Sequence, residues 1–320
     1  MSLSTNTIIG LTALGSFLGG VLLASLVGLY LRRKHSRNLI ESPPNPPHPS
    51  ESAARIFRYV TEIEKWLLQG PEGPSDQIPI NDFMGLDYVL ELHVRNTYHQ
   101  RPVSYSPDVL KQSLEGLGLD EWTQSQVLAM SLDVTRRHAA IRSLIARVMF
   151  AALDITNLSG PSLLPPQVMA FIRTLPPSST SNFKNPHARV REVLDMWRRC
   201  SAALMQNHRW LLSTLEPSQD IRQQARELSQ ALSKYLAHFA EEPAEGRLDH
   251  GEKLYLLVEE YLNFGYLIFS SPCNWRFPFE AERKDWSEGI VVRPGLERVS
   301  GYHGEVFDDP LVRAPPLQVQ

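Results

Sequence analysis

One cysteine and one histidine in this sequence are spaced so as to suggest covalent catalysis. Cys200 and His208 fall on similar faces of one helical pattern, and a thiol beside an imidazole is a nucleophile–base pair. Their separation of eight residues corresponds to a rise of about 12 Å along a helix, which is too far for a hydrogen bond. We therefore interpret Cys200 as a small buried apolar residue and His208 as a residue at the edge of the core.

A second polar set lies on the last long helical pattern of the chain. Its members are Glu252, Tyr255, Glu259, Asn263 and Tyr266. Two carboxylates in apolar surroundings could perform acid–base catalysis or contribute to a metal site. No second Glu-x-x-His element accompanies them to complete a di-iron bundle, and a solvated or ion-paired face is the favoured interpretation.

The remaining motifs of catalysis and cofactor binding are missing from the sequence. There is no phosphate loop, strand-linked GxGxxG, GxSxG elbow, HExxH or CxxC. We therefore expect no cofactor and no metal, and a non-enzymatic protein is favoured over an enzyme. The alternative is a membrane-tethered enzyme or lipid-binding protein with a helical site around Glu252, Glu259 and Tyr255.

Four arginines give one predicted helix a basic character. Arg136, Arg137, Arg142 and Arg147 lie within twelve residues of each other, with His138 among them. They could meet phosphates or anionic lipid head groups, although arginines on the solvated face of a helix are common. The solvated face is the favoured interpretation.

Four large aromatic rings follow the last helical pattern. Trp275, Phe277, Phe279 and Trp286 fall outside any regular helical spacing. Such rings either pack onto the helical domain as a strap or form an exposed surface that binds a partner. The strap is favoured, and a partner-binding surface remains the second interpretation.

The N-terminal part of the chain has the composition of a membrane anchor for the rest of the protein. Residues 8–31 contain no charged side chain, and as a helix they would extend roughly 36 Å, which is enough to cross a hydrocarbon core of about 30 Å. The preceding residues 1–7 carry no Lys or Arg, and no polar cleavage region follows, so a cleaved signal peptide is disfavoured. We predict an uncleaved transmembrane helix at 8–31 that contacts the lipid bilayer.

The cations behind this helix predict its orientation. They are Arg32, Arg33, Lys34 and Arg37. Short Lys/Arg clusters beside a membrane span stay on the cytoplasmic side. We therefore expect residues 1–7 on the non-cytosolic side and the rest of the chain in the cytosol, at the endoplasmic reticulum or the mitochondrial outer membrane, which the sequence fits equally.

Small residues recur at every fourth position within the predicted span. They are Thr12, Ser16, Gly20, Ala24 and Gly28. Small residues at this spacing allow two membrane helices to approach closely. The stripe suggests a homodimer through the transmembrane helix, although small residues are also common in membrane helices in general.

Composition limits the partners of the soluble part. The four cations behind the span belong to 32 basic residues, so the remaining 28 face 35 acidic residues and leave a net charge of about −7. General nucleic-acid binding needs basic density and is not expected. Two cysteines provide no disulfide framework and fit a reducing compartment, where the sequon at Asn157 would stay unmodified.

The rest of the chain is predicted to be one all-α domain with an irregular tail. Residues 32–49 form a basic juxtamembrane segment and a proline-rich linker, which is favoured as a stiff spacer over an SH3 ligand. Helical periodicity covers 50–271, with a sub-boundary near 174–186. The pattern predicts a helix that Ser106 caps, one continuous helix over 123–153 and the most buried helix after its cap, Asp249. It also predicts a helix with an apolar stripe at Ile221, Ala225, Leu228, Leu232 and Leu236. Residues 272–320 are predicted as an aromatic-rich extended tail, in which a Pro-Gly turn and a Gly-Tyr-His-Gly turn indicate one small β-hairpin.

These observations lead to a single functional expectation. A membrane anchor, a spacer and a helical domain without a recognisable reaction centre are typical of an interaction or scaffold module. We expect it to bind an as yet unknown protein partner at a cytosol-facing membrane surface.

Overall fold

The structure is a computed structural model, and it describes residues 77–157, 160–174, 186–205, 215–242, 248–279, 289–301 and 306–319. Within these ranges 61% of the residues are helical, in eight α-helices, and a few strands follow at the C-terminal end. The helices are α1 (Gln77–Thr97), α2 (Pro107–Leu114), α3 (Glu121–Leu132), α4 (Arg137–Leu153), α5 (Pro166–Arg173), α6 (Pro186–Met205), α7 (Gln219–Leu236) and α8 (His250–Ser270). The prediction of a mostly helical domain is confirmed for these residues.

The predicted anchor falls on a part of the chain that the structure does not describe. The span at 8–31, its small-residue stripe, the cations after it and the linker 32–49 all precede the first described residue. None of the helices between residues 77 and 319 combines the length and the apolarity that crossing a bilayer requires.

Several helices begin at a residue whose side chain caps them. Ser106 accepts a hydrogen bond from the backbone N–H of Asp108 at 3.3 Å, and Pro107 is the first residue of α2. Asp249 accepts one from the N–H of Glu252 at 2.8 Å and starts α8. Each cap satisfies an N–H group that has no partner within its helix. The predicted helix starts at these two residues are confirmed.

The predicted continuous helix over 123–153 is wrong, because the structure divides it into α3 and α4. The Asp133 carboxylate accepts hydrogen bonds from the backbone N–H and the hydroxyl of Thr135, at 2.9 and 2.7 Å. These local bonds compete with the next turn of helix and end α3. The chain resumes as α4 at Arg137.

The core forms where α8 packs against α1, α4, α6 and α7. Its centre is a cluster of four phenylalanine rings whose contacting centroids lie 4.8 to 6.4 Å apart. The four are Phe83 of α1, Phe150 of α4, Phe264 of α8 and Phe277 of the segment after α8. Such tilted ring pairs contribute beyond the apolar area that they bury.

The apolar pattern predicted that α8 would be the most buried helix, but among the helices whose burial is fully described α4 is more completely buried than α8. Thirteen of the 17 residues of α4 are buried, compared with 11 of the 21 residues of α8. The pattern missed this because the buried residues of α4 include Arg137, Arg142 and Ser143, which a hydropathy pattern assigns to solvent.

The C-terminal segment contains more strands than one hairpin. Its strands are β1 (Trp275–Arg276), β2 (Ile290–Arg293), β3 (Leu296–Ser300), β4 (Val306–Ala314) and β5 (Leu317–Val319). They form an antiparallel sheet in the order β1-β3-β4 and a second antiparallel pair, β2-β5. The predicted irregular tail is therefore corrected to two small sheets in the described residues.

The predicted hairpin exists, but at the second of the two turns in its sequence. β3 and β4 pair on either side of residues 301–305, with Ser300 opposite Val306. β2 and β3 flank Pro294 and Gly295, yet they belong to different sheets. β2 is buried along its whole length and packs on α4, where the hydroxyl of Ser143 donates to the carbonyl of Val291 at 2.8 Å.

Candidate interaction groove

A groove of about 820 Å³ lies between α1, α8 and the residues that precede α7. Its walls are mostly apolar and include Ile78 and Val89 of α1, Leu215, and Leu267 of α8. Gly85 also lines the groove, and a Cβ atom added there would meet no atom within 4 Å. The absence of a side chain at Gly85 therefore leaves open space between the two helices.

The outer face of α1 continues this groove as an exposed apolar surface. Tyr88 is 67% exposed, and Ile78, Met84, Val89 and Leu92 are each between 41% and 46% exposed. Single exposed apolar residues are common, but a contiguous set beside a groove is typical of an interaction site. The α1 face and the groove form one surface, which we call the α1–α8 groove.

The charged residues described in the lining of this groove are all acidic. They are Asp82, Glu216 and Glu260. Partial burial raises the pKa of the Asp82 carboxyl above its ordinary value. None of the three forms an ion pair with another described residue.

The aromatic residues that the sequence singled out pack onto the domain. Trp275 is 7% exposed, and its indole N–H donates to the hydroxyl of Ser271 at 3.1 Å. Phe277 completes the phenylalanine cluster of the core, while the ring of Phe279 lies beneath the guanidinium of Arg147 at 4.6 Å. Trp286 lies outside the described residues. The three described rings, Trp275, Phe277 and Phe279, thus pack against the helical domain.

A smaller cavity of about 330 Å³ lies beside Trp275 and Phe277. Its polar wall is formed by Asp195 and Arg198 of α6. The Arg198 guanidinium donates to Asp195 at 2.8 Å and to the backbone carbonyls of Phe269 and Ser271 at 2.6 and 2.7 Å. Arg198 therefore caps the C-terminal end of α8, and this cavity offers no free donor on that side chain.

Of the two carboxylates of the alternative function, Glu259 belongs to an ion pair and Glu252 does not pair with a described residue. The Tyr255 hydroxyl donates to Glu259 at 2.7 Å, and Arg222 donates to the same carboxylate at 2.9 Å. Arg226 lies over the Tyr255 ring at 4.4 Å. Glu252 is exposed, and none of these residues lines the two cavities just described. The geometry is that of the ion-paired face favoured from the sequence.

The proposed nucleophile pair is not assembled in the described part of the chain. Burial raises the pKa of the Cys200 thiol, which favours the less reactive protonated form. The side chain of His208 lies outside the described residues.

The basic helix is not the solvated face that its sequence suggested. Arg137 and Arg142 are buried, and burial lowers the pKa of Arg147 to about 10, against the opposing effect of Asp120. Arg142 donates to Asp87 at 2.6 Å and to Glu91 at 3.1 Å. The pairing acids lie more than 50 residues away, so no local spacing indicated them.

No pattern in the sequence predicted a chain of hydrogen-bonding groups that lies at one end of the domain. The Tyr98 hydroxyl lies 3.2 Å from Nε2 of His93 and 3.1 Å from Nε2 of His250. Nδ1 of His250 is in turn 3.3 Å from the hydroxyl of Ser233. Burial, together with electrostatic interactions with His250 and Lys253, lowers the pKa of His93 to about 4, and burial is also the main cause that lowers the pKa of His250. Both imidazoles are therefore kept neutral near pH 7.

The histidine groups do not form a metal centre. No set of three or more His, Cys, Asp or Glu side chains with metal-binding geometry occurs among the residues that the structure describes. Comparison with known proteins gives no further assignment, since no protein-family model, no curated protein and no solved structure matches the chain.

Proposed function

We propose that this protein is a single-pass membrane-anchored helical module that binds a partner protein at a cytosol-facing membrane surface. The α1–α8 groove is the observation that carries the proposal. It combines exposed apolar side chains, open space at Gly85 and three acidic residues that form no ion pair with another described residue. The anchor adds the expectation that this surface is held close to a membrane.

The chemistry of the groove defines the partner. From Ile78 to Val89, its α1 wall covers about 16 Å, which matches about three turns of a helix laid alongside it. Apolar walls accept the apolar stripe of an amphipathic helix, and the three carboxylates favour Lys or Arg at its flanks. We infer that the partner presents a basic amphipathic helix.

The anchor is proposed from the sequence. An uncharged segment at 8–31 is followed by Arg32, Arg33, Lys34 and Arg37, which favours a cytosolic domain at the endoplasmic reticulum or the mitochondrial outer membrane. The stripe from Thr12 to Gly28 supports self-association of the span. A dimer would place two copies of the groove at one membrane site.

Site-specific photo-crosslinking of the full-length chain in cells tests the groove. Benzoylphenylalanine replaces Val89 in the groove and, as the matched control, Val109 on α2, since these valines are 41% and 48% exposed. We expect a defined crosslinked partner from position 89 and not from position 109. The crosslinked peptide should be a helical segment with an apolar stripe and flanking basic residues.

A blocking variant makes this test specific. Gly85→Leu adds a helix-favouring side chain where there is open space, so the domain should stay folded while the groove is filled. The crosslink from position 89 should then disappear without a decrease in Tm. Equal crosslinking from both positions, or a crosslink that Gly85→Leu leaves unchanged, would exclude the groove as the docking site.

A further inference from the structure

Five arginines are buried in the described part of the chain, and four of them pair with a carboxylate. Arg142 and Arg293 bind Asp87, while Arg198 and Arg199 bind Asp195. The fifth, Arg137, has no measurable exposure and forms no ion pair with a described residue. Burying a guanidinium without a counterion is costly, so its surroundings require an explanation.

The Arg137 side chain uses only part of its donor capacity. Nε donates to the carbonyl of Ser131 at 2.7 Å, and Nη1 donates to the carbonyls of His99, at 3.1 Å, and Arg101. Asp133 is the nearest acidic residue that affects it, but this carboxylate is exposed and bonded to Thr135. Nη2 is buried and has no hydrogen-bond partner.

Two further buried groups lack partners at the same place. The hydroxyls of Ser131, on α3, and Tyr235, on α7, are buried, and neither has a hydrogen-bond partner within 3.5 Å among the described residues. They are nevertheless close enough to each other for the Ser131 hydroxyl to lower the pKa of Tyr235, against the larger effect of burial. Tyr235 also interacts electrostatically with Arg137, and the Phe239 ring packs against both side chains, at 5.3 and 5.2 Å. Three groups that can donate a hydrogen bond, from three helices, are therefore buried in one neighbourhood and have no partner within hydrogen-bond distance among the described residues.

The position of Arg137 in its helix strengthens the positive potential. Arg137 is the first residue of α4, a helix of 17 residues, and no side chain caps this end. The N-terminus of a helix carries a partial positive charge from its unpaired N–H groups. A buried guanidinium at this end therefore adds charge of the same sign.

We propose that a small monovalent anion, of which chloride is the abundant representative, binds between the N-terminus of α4, α3 and α7. Nη2 of Arg137 and the hydroxyls of Ser131 and Tyr235 donate to it. A water molecule could accept some of these hydrogen bonds, but it would leave the buried positive charge uncompensated. An anion satisfies the donors and neutralises the charge, and in this domain carboxylates do the same for the other four buried arginines.

Anion-dependent thermal unfolding of the full-length chain, purified in a non-ionic detergent, tests this proposal. Sodium gluconate is replaced stepwise by sodium chloride at constant ionic strength and pH, and helix content is followed by circular dichroism. We expect Tm to rise by about 3–5 °C by the point where chloride exceeds its dissociation constant about tenfold, and to rise with the logarithm of the chloride concentration beyond it. Gluconate is too large for the site and should not support the increase.

Variants distinguish this site from general effects of salt. Tyr235→Phe and Ser131→Ala each remove one donor, and each should raise the dissociation constant for chloride about tenfold or more. This expectation does not depend on how the variants change Tm in gluconate. Tyr266→Phe removes a buried tyrosine hydroxyl elsewhere, on α8, and should keep the wild-type chloride dependence. A Tm that does not depend on chloride would show that water fills the position and would overturn the proposal. So would a chloride effect that is equal in all four proteins.

Discussion

The Tyr98 hydroxyl joins two histidines that are 157 residues apart in the sequence. It can donate one hydrogen bond and accept one, so it satisfies His93 and His250 together only while at least one imidazole nitrogen facing it is unprotonated. Protonation of His93 would put a positive charge into surroundings that already contain His250 and Lys253. The chain of groups therefore depends on neutral imidazoles.

This dependence predicts a loss of stability in mild acid. The pKa of His93 is lowered from 6.5 to about 4 in the folded state, so the unfolded state binds protons more readily. The stability that neutral His93 contributes to the folded state is fully present above pH 6.5 and is lost as the pH falls toward about 4. We expect His93→Gln to reduce the difference in unfolding free energy between pH 7 and pH 5 by about 2 kcal/mol.

Urea unfolding at the two pH values measures this difference. His238→Gln is the control, because His238 contacts Tyr105 and Ser113 rather than the Tyr98 chain. If the two variants show the same pH dependence as the wild type, His93 does not titrate in this range.

At the residue scale, the sequence predicted only what local spacing determines. The cap at Ser106 could be predicted because the residue that it caps lies two positions away. The partners of Tyr98 and Arg142 could not be predicted, because they come from other helices. A hydropathy pattern also treats a buried arginine as an exposed one.

At the scale of elements, Asp87 connects α1 to α4 and to β2. Its two carboxylate oxygens accept from Arg142 at 2.6 Å and from Arg293 at 3.1 Å, and both arginine side chains are 10% exposed. Breaking a buried pair leaves uncompensated charge, which costs more than the pair contributes. The position of β2 against the helices therefore depends on one α1 carboxylate.

Asp87→Asn should lower the unfolding free energy by about 3 kcal/mol, since Arg293 loses its carboxylate and Arg142 keeps only Glu91. Glu297→Gln is the matched control, because it breaks an ion pair with Arg276 that is half exposed, and it should cost less than about 1 kcal/mol. Urea unfolding of the purified full-length chain compares the two. Equal losses of unfolding free energy would mean that the Asp87 cluster contributes no more to stability than a surface ion pair.

The elements themselves could be predicted only in part. Helical periodicity predicted the stripe of α7 and the start of α8, because those signals repeat within one helix. The pairing of β2 with β5 could not be predicted, because Ile290 and Val319 are 29 residues apart and neither strand carries a hairpin turn toward the other. The groove was also missed, since it requires the relative positions of α1 and α8.

At the scale of the whole molecule, the proposed function depends on which side of the membrane the groove occupies. A basic helix on a cytosolic partner can reach the groove only if residues 77–319 face the cytosol. The sequon at Asn157 reports on the same question, because it would be accessible to glycosylation in the lumen of the endoplasmic reticulum. In the fold, its amide nitrogen donates to the carbonyl of Ala151 at 2.9 Å, and a glycan on this nitrogen would compete with that contact.

Protease protection of the chain with a C-terminal tag, in intact fractionated organelles, should therefore show digestion of the tag without detergent. A lumenal or intermembrane-space marker in the same fraction must stay protected, and the fraction that contains the tag identifies the membrane where the groove's partner should be sought. A protected tag together with a glycan at Asn157 would place the domain in the lumen. The positive-inside rule would then fail for the cluster from Arg32 to Arg37, and the cytosolic partner would be excluded even if the groove itself binds a helix.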